Sequence, residues 1–233
     1  TQACIADLQP CQRRCRDRRR NHEKASDRMT IYLHEEDLPQ GVLAPGAVAV
    51  DTETMGLHPG RDRLCLVQIS DGKGDEHLVR FSVNSDFAAP NLKAVLADPD
   101  RVKIYHFARF DLASIHAYLG VMAGPVFCTK IASRLVRTYT DRHGLKDLVR
   151  ETIGVELSKQ QQSSDWGAPV LSDAQKEYAA SDVRYLHRVK DVLEPRLDRE
   201  RRTLLAQACF DFLPNRALLD LAGWPETDIF AHV

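Results

Sequence analysis

The chain has 233 residues, 43% of them hydrophobic and 28% charged, enough for one sizeable core with a small appendage. No apolar run approaches membrane-spanning length and nothing reads as a secretory signal, which argues against a membrane or secreted protein. The net charge of −1 hides an asymmetry: residues 1–28 carry +4 and the remainder −5, so the body is a poor general binder of long polyanions and any nucleic-acid substrate must be short or held by local basic groups.

Residues 1–28 hold the run Arg13-Arg14-Cys15-Arg16-Asp17-Arg18-Arg19-Arg20 and no apolar periodicity. They are expected to be disordered. A nucleic-acid arm and a transit peptide compete with a non-native upstream extension, with Met29 as the natural beginning; the extension is preferred. Asp7, Asp17 and Glu23 count against the transit peptide. From Met29 the pattern is α/β. Strands are expected at Thr30–Leu33, Ala47–Glu53, Leu64–Ser70 and His77–Phe81, the last two joined by turns at Asp71-Gly72 and Lys73-Gly74. A short helix, Asn91–Leu96, follows Pro90. Val102–Phe107 reads as a buried strand, Asp111–Leu119 as a helix closed by Gly120, and Phe127–Thr129 as a last edge strand. Helices are expected at Thr129–Val136, Leu145–Ile153, Ser172–Val192 and Glu200–Ala208. Strands early and helices late fit a mixed sheet flanked by helices, with a helical C-terminal half. Cys65, Cys128 and Cys209 lie in apolar stretches and the six cysteines are irregularly spaced, so a reduced, cytoplasmic protein without structural disulfides is expected.

Four carboxylates are spaced as if to build one metal site. Asp51 and Glu53 end the apolar run Val48-Ala49-Val50, and residues two apart on a strand share a face. Like charges at the end of a buried strand repel and lose hydration unless a cation neutralises them. Hard oxygen donors suit Mg²⁺ or Mn²⁺, and a carboxylate site for two such ions cleaves phosphodiesters. Alone, Asp-x-Glu is also common on exposed strands. Asp111 falls in the first turn of a helix after a buried strand, where it either serves a site or complements the helix dipole. Tyr178 and Asp182 lie four apart, on one helix face; the tyrosine has a core reading, whereas a carboxylate beside it needs a partner.

These three segments resemble the motifs of the DEDD superfamily of 3′→5′ exonucleases. Tyr178, four residues before Asp182, matches the tyrosine (DEDDy) subgroup; the histidine subgroup has its histidine five before, where Glu177 stands. Cys128-Thr129-Lys130-Ile131-Ala132-Ser133, Thr138–Leu145 and Ser158–Trp166 are similar to ribonuclease D relatives, and most closely to the nano-RNase C (NrnC) branch of dinucleotide-degrading enzymes. The likeness runs from about Met29 to Val233, which implies one exonuclease domain over 29–233.

The resemblance implies an RNase H-like α/β fold with a five-stranded mixed sheet. It implies two divalent cations, Mg²⁺ or Mn²⁺, held by Asp51, Glu53, Asp111 and Asp182. Tyr178 would orient the attacking water, and the product would be a nucleoside 5′-monophosphate. It also implies short RNA as partner and octameric rings. Thr52, between the two acids, and Met55, Gly56 and Leu57, just after Glu53, are the substrate candidates of the first motif. A glycine there lets backbone approach a ligand. Leu57 is either a wedge between two bases or core. His106 and Phe110 could touch phosphate and base, or pack in the core. Lys159, Gln162 and Ser163 could cap a 5′-phosphate with Trp166 packed beneath, or the segment could merely cap a helix. Arg137, Arg142 and His143 form another polar turn, facing either ligand or protein. The rivals are a ribonuclease D-like exonuclease on longer RNA 3′ ends, a 3′→5′ DNA exonuclease and a non-catalytic scaffold.

Overall fold

A computed structural model describes residues 29–158, 160, 161 and 163–232. The expectation for residues 1–28, and those for Lys159 and Gln162, lie outside the described residues.

Continuous β-branched and apolar runs make the central strands. In β2 (Val48–Thr54) Val48, Ala49 and Val50 are wholly buried, and β3 (Leu64–Ser70) is buried along its whole length. Strands that read apolar on both faces need cover on both faces. β1 (Thr30–Glu35), β4 (Asp75–Arg80), β5 (Lys103–Tyr105) and β6 (Val126–Cys128) complete one sheet in the order β1-β4-β3-β2-β5-β6. β3 runs antiparallel to β2 and β4, while the β1–β4, β2–β5 and β5–β6 pairs are parallel. The sheet therefore has six strands, not the five implied by resemblance. The two outer segments, β1 and the three-residue β6, both pair into it.

Seven described helices follow: α1 (Pro90–Ala97), α2 (Ala108–Leu119), α3 (Thr129–Val136), α4 (Leu145–Ile153), α5 (Asp173–Arg184), α6 (Leu186–Arg199) and α7 (Thr203–Leu221). α2 packs on β2 and α7; α5 packs across β2, β3 and β4. Two expectations fail at the C-terminal end. The single helix expected over Ser172–Val192 is broken at Tyr185, and its second half continues through Pro195 to Arg199. Buried Leu193 and Leu197 flank Pro195 and hold the turn that lacks one backbone donor. The helix expected over Glu200–Ala208 starts at Thr203 and runs to Leu221, through Pro214, with Phe210, Leu213 and Ala217 buried.

Candidate metal centre and substrate cleft

β2 carries Asp51 and Glu53 to one face, and a register shift between Glu53 and Thr54 ends the regular pairing with β3 just past the second acid. α5 lays Tyr178 and Asp182 over that face. The start of α5 is fixed by reciprocal bonds. Ser172 Oγ accepts from the Gln175 backbone N–H at 3.2 Å, and Gln175 Oε1 accepts from the Ser172 N–H at 2.9 Å. Gln175 Nε2 also donates to the Asp165 carbonyl at 3.1 Å, tying the preceding loop to the helix.

One carboxylate oxygen from each of Asp51, Glu53 and Asp182 lies within 4.8 Å of the other two. Asp111 stands beside this trio rather than in it. It is 3% exposed in the first turn of α2 and accepts a hydrogen bond from Thr52 Oγ1 at 2.7 Å. Thr52 lies between the two strand acids; it holds the Asp111 carboxylate and also lines the cleft with Asp51 and Glu53.

Burial pushes the Asp51 carboxyl well above the usual range, and the charges of Asp111, Asp182 and Glu53 add to it. Glu53 is pushed up to about 9 by burial, then by Asp182 and Asp111. Asp111 and Asp182 rise to about 7, chiefly through burial. Two like charges 4 Å apart repel by about 4 kcal/mol at an effective dielectric constant of about 20. The group therefore holds protons unless a cation takes their place. A compact all-oxygen donor set with this demand for positive charge fits a divalent cation of the Mg²⁺ class.

Burial, then the charges of Asp182, Glu53 and Asp51, push the Tyr178 phenol above its usual value, so its hydroxyl keeps its proton. The Trp166 ring is 4% exposed and lies 6.0 Å from the Tyr178 ring at an interplanar angle of 37°. It supports the tyrosine from below and does not line the cleft. The cleft itself encloses about 330 Å³. Asp51, Thr52, Glu53, Tyr178 and Asp182 line it together with Leu57 and His106, and Lys130, Gly144, Leu145, Lys146, Leu157 and Ser158 complete the lining.

The substrate candidates separate sharply. Leu57 is 83% exposed while lining the cleft, so the core-packing reading is excluded. Met55 is also exposed, its sulfur packed against Gly167. Gly56 makes room for protein: a Cβ there would lie 2.3 Å from Asp62 Oδ2, which accepts from the His58 N–H at 3.0 Å. The His106 ring reads as neutral. Burial, then the Lys130 charge, depress its pKa to about 3. Its Nδ1 lies 2.9 Å from Thr129 Oγ1, and that hydroxyl donates to the Tyr105 carbonyl at 3.0 Å. Nδ1 is therefore the donor, and a neutral ring suits a substrate hydroxyl better than a phosphate. Phe110 is partly buried beside Asp111 and is not part of the cleft wall. Ser163 is exposed outside it, whereas Ser158, five residues earlier, lines it.

Arg137 faces protein, not ligand. It is fully buried; Nη1 donates to Ser133 Oγ at 2.9 Å and to the Arg142 carbonyl at 2.7 Å, and Nε donates to Glu151 Oε1 at 3.0 Å. His143 joins the same cluster through Ser133 Oγ at 2.9 Å. Arg137 thus clamps α3 to α4 and shapes the 138–144 turn. Arg137→Met is expected to lower stability by about 2–3 kcal/mol, measured by urea denaturation; a loss under about 0.5 kcal/mol would rule out the clamp.

Sequence reading missed the cleft lysines Lys130 and Lys146, and Gln68, which is fully buried and paired directly opposite Asp51. The lysines carried one signal: each is the second residue of its helix, the end at which a positive charge is least favoured.

Comparison with known proteins agrees with this geometry. The family model described as "3'-5' exonuclease" matches residues 30–198. The structure of Brucella melitensis NrnC bound to pGG is 58% identical with a TM-score of 0.85, over 88% of this chain and 100% of that one. The same protein with bound Mg²⁺ is 57% identical with a TM-score of 0.84, at the same coverage. Ribonuclease D of Gluconacetobacter diazotrophicus is 36% identical over 155 residues, 66% of this chain and 39% of that protein. The chain thus spans about two fifths of the length of the curated relatives it matches. The chain belongs to the 3′-5′ exonuclease family, in the group that holds the NrnC nucleases.

Proposed function

We propose that residues 29–233 form one metal-dependent 3′→5′ exoribonuclease domain. It hydrolyses very short RNA, chiefly 5′-phosphorylated dinucleotides, to nucleoside 5′-monophosphates. The observation that carries this reading is the convergence of Asp51, Glu53 and Asp182 within 4.8 Å in the lining of a short cleft beside the exposed Leu57. The pGG complex of the Brucella melitensis relative supports the substrate length, and its Mg²⁺ complex supports the cofactor.

Asp51, Glu53 and Asp182 would hold the cation, and Asp111, fixed by Thr52, would help position a second. When bound, two Mg²⁺ or Mn²⁺ ions lower the pKa of a water and stabilise charge on the leaving 3′-oxygen. Tyr178 would orient that water through its hydroxyl. Trp166 holds the Tyr178 ring in place. Leu57 wedges between the two bases, with Met55 extending the apolar edge, and His106 borders the substrate. Lys159, Gln162 and Ser163 stay assigned to the 5′ end of the substrate, on the motif resemblance. The octameric ring and the cytoplasmic location belong to the same reading; the free thiols of Cys65, Cys128 and Cys209 suit a reducing compartment.

The test is a series of 5′-phosphorylated oligoribonucleotides of two to seven nucleotides with Mg²⁺ or Mn²⁺. The dinucleotide is expected to be cleaved at least about tenfold faster than the heptamer, since each hydrogen bond to a 5′-phosphate contributes about 1.5–3 kcal/mol. A profile flat or rising with length would favour an exonuclease on longer RNA ends.

A further inference from the structure

The strand beside the acids carries a side chain that the sheet itself does not use. Gln68 lies within β3 and is wholly buried. Neither its Nε2 nor its Oε1 has a hydrogen-bond partner, and among the described residues it is the one buried side chain that leaves two polar atoms unpaired. The serine of the same strand behaves differently: Ser70 Oγ donates to the Asp75 carbonyl at 3.0 Å and accepts from the Gly72 N–H at 3.2 Å. A buried amide without partners costs stability that an apolar side chain of similar volume does not. Packing alone therefore does not account for a glutamine here.

Its place in the ladder says what it faces. Gln68 pairs directly with Asp51 across the antiparallel β2–β3 pair, and Leu66 pairs with Glu53 in the same way. Directly opposite residues share a face and hold their Cβ atoms about 4.5–5.5 Å apart, within reach of a long side chain. On its other side Gln68 pairs with Leu78 of β4. Leu66 and Leu78 belong to one buried cluster with Ala179 of α5 and Trp166, so this face lies under the helix that brings Asp182. The unpaired amide is enclosed on the carboxylate face, beside Asp51 and away from water.

The chemistry of an amide suits that position. An ionised carboxylate offers about four acceptor sites, and a cation occupies only part of them. Ligating carboxylates are ordinarily held from behind by a hydrogen-bond donor. Here the donor has to be uncharged. An ammonium or guanidinium would itself offset Asp51, Glu53 and Asp182 and compete with the cation, whereas an aliphatic side chain would leave buried ionised oxygens unpaired. We propose that Gln68 is a positioning residue of the metal centre, its Nε2 donating to the Asp51 carboxylate when the cation is bound. This rests on the metal-dependent reading above and not on substrate length. In this role Gln68 acts only through Asp51 and takes part in no covalent step.

The experiment compares the parent with Gln68→Met and Gln68→Leu, two apolar replacements of different shape. Each is melted first in EDTA and then across a Mg²⁺ titration, with no substrate present. In EDTA both variants are expected to melt at or above the parent temperature, since an apolar side chain replaces an unpaired amide. The Mg²⁺ concentration that half-completes the rise in melting temperature should increase about ten- to a hundredfold in both. On a 5′-phosphorylated dinucleotide the Mg²⁺ half-saturation should rise by the same factor, while KM at saturating Mg²⁺ holds. An unchanged Mg²⁺ half-saturation in both variants overturns the proposal. So does a fall of more than about 5 °C in the EDTA melting temperature of both, or failure of both to fold, because the amide would then be holding the sheet. A parent whose melting temperature ignores Mg²⁺ overturns it together with the metal-dependent reading. If the parent binds Mg²⁺ through Gln68 yet cleaves no dinucleotide, the functional reading fails and the role of Gln68 stands. If it cleaves and both variants bind Mg²⁺ as the parent does, the role of Gln68 fails alone.

Discussion

Asp51→Asn is expected to lower kcat/KM on a dinucleotide by at least about a thousandfold without harming the fold. Asp51 feels three other carboxylates as well as its own burial, so it is the acid through which the whole cluster is coupled. Removing its charge takes away a central ligand oxygen and with it most of the affinity for the cation. In the metal-free protein the Asp51 carboxyl must take up a proton to avoid repulsion from its neighbours, and the neutral amide removes this demand. The metal-free variant should therefore melt at or above the temperature of the metal-free parent. Added Mg²⁺ should raise the melting temperature of the parent and leave that of the variant almost unmoved. A variant that kept the Mg²⁺ shift would show that the cation is held elsewhere; one that melted well below the parent would show that Asp51 supports the fold.

Tyr178→Phe should lower kcat by about a hundred- to a thousandfold while KM stays within a few-fold. The ring remains and still packs on Trp166, so stability should change by less than about 1 kcal/mol. The hydroxyl alone is lost, and with it the donor that orients water. A KM effect larger than the kcat effect would reassign the hydroxyl to substrate binding.

The part of this protein that the sequence revealed most clearly is the part where one period dominates. Val48–Val50 can only be a buried strand, and the two acids after it fall on one face by alternation alone. Tyr178 and Asp182 fall on one helix face by the same kind of counting. The likeness of three separated segments to one exonuclease family then brought those faces together. Where two periods or two forces compete, the chain was opaque. α7 is apolar on more than one side and contains Pro214, so neither its length nor its course showed. Its extra turns are made by burial of Phe210, Leu213 and Ala217, a tertiary effect. Arg137 stayed open between ligand and protein because an arginine in a polar turn can face either; only packing shows it buried in a clamp. The two cleft lysines were hidden because they are sixteen positions apart on different helices, and because local helix rules place cations at the opposite end. His106 was visible as a candidate, but its charge state depended on burial and on Lys130, and its tautomer on Thr129.

The double role of Gln175 has a consequence for engineering. One side chain both completes the start of α5 and holds the Asp165 carbonyl of the preceding loop. The loop and the helix bearing Tyr178 and Asp182 are therefore a single mechanical part. A chimera that swaps the loop between relatives to change substrate length, while leaving Gln175 behind, would detune the reaction chemistry along with the specificity. The natural unit of exchange runs from Leu157 through Arg184, with its latch included.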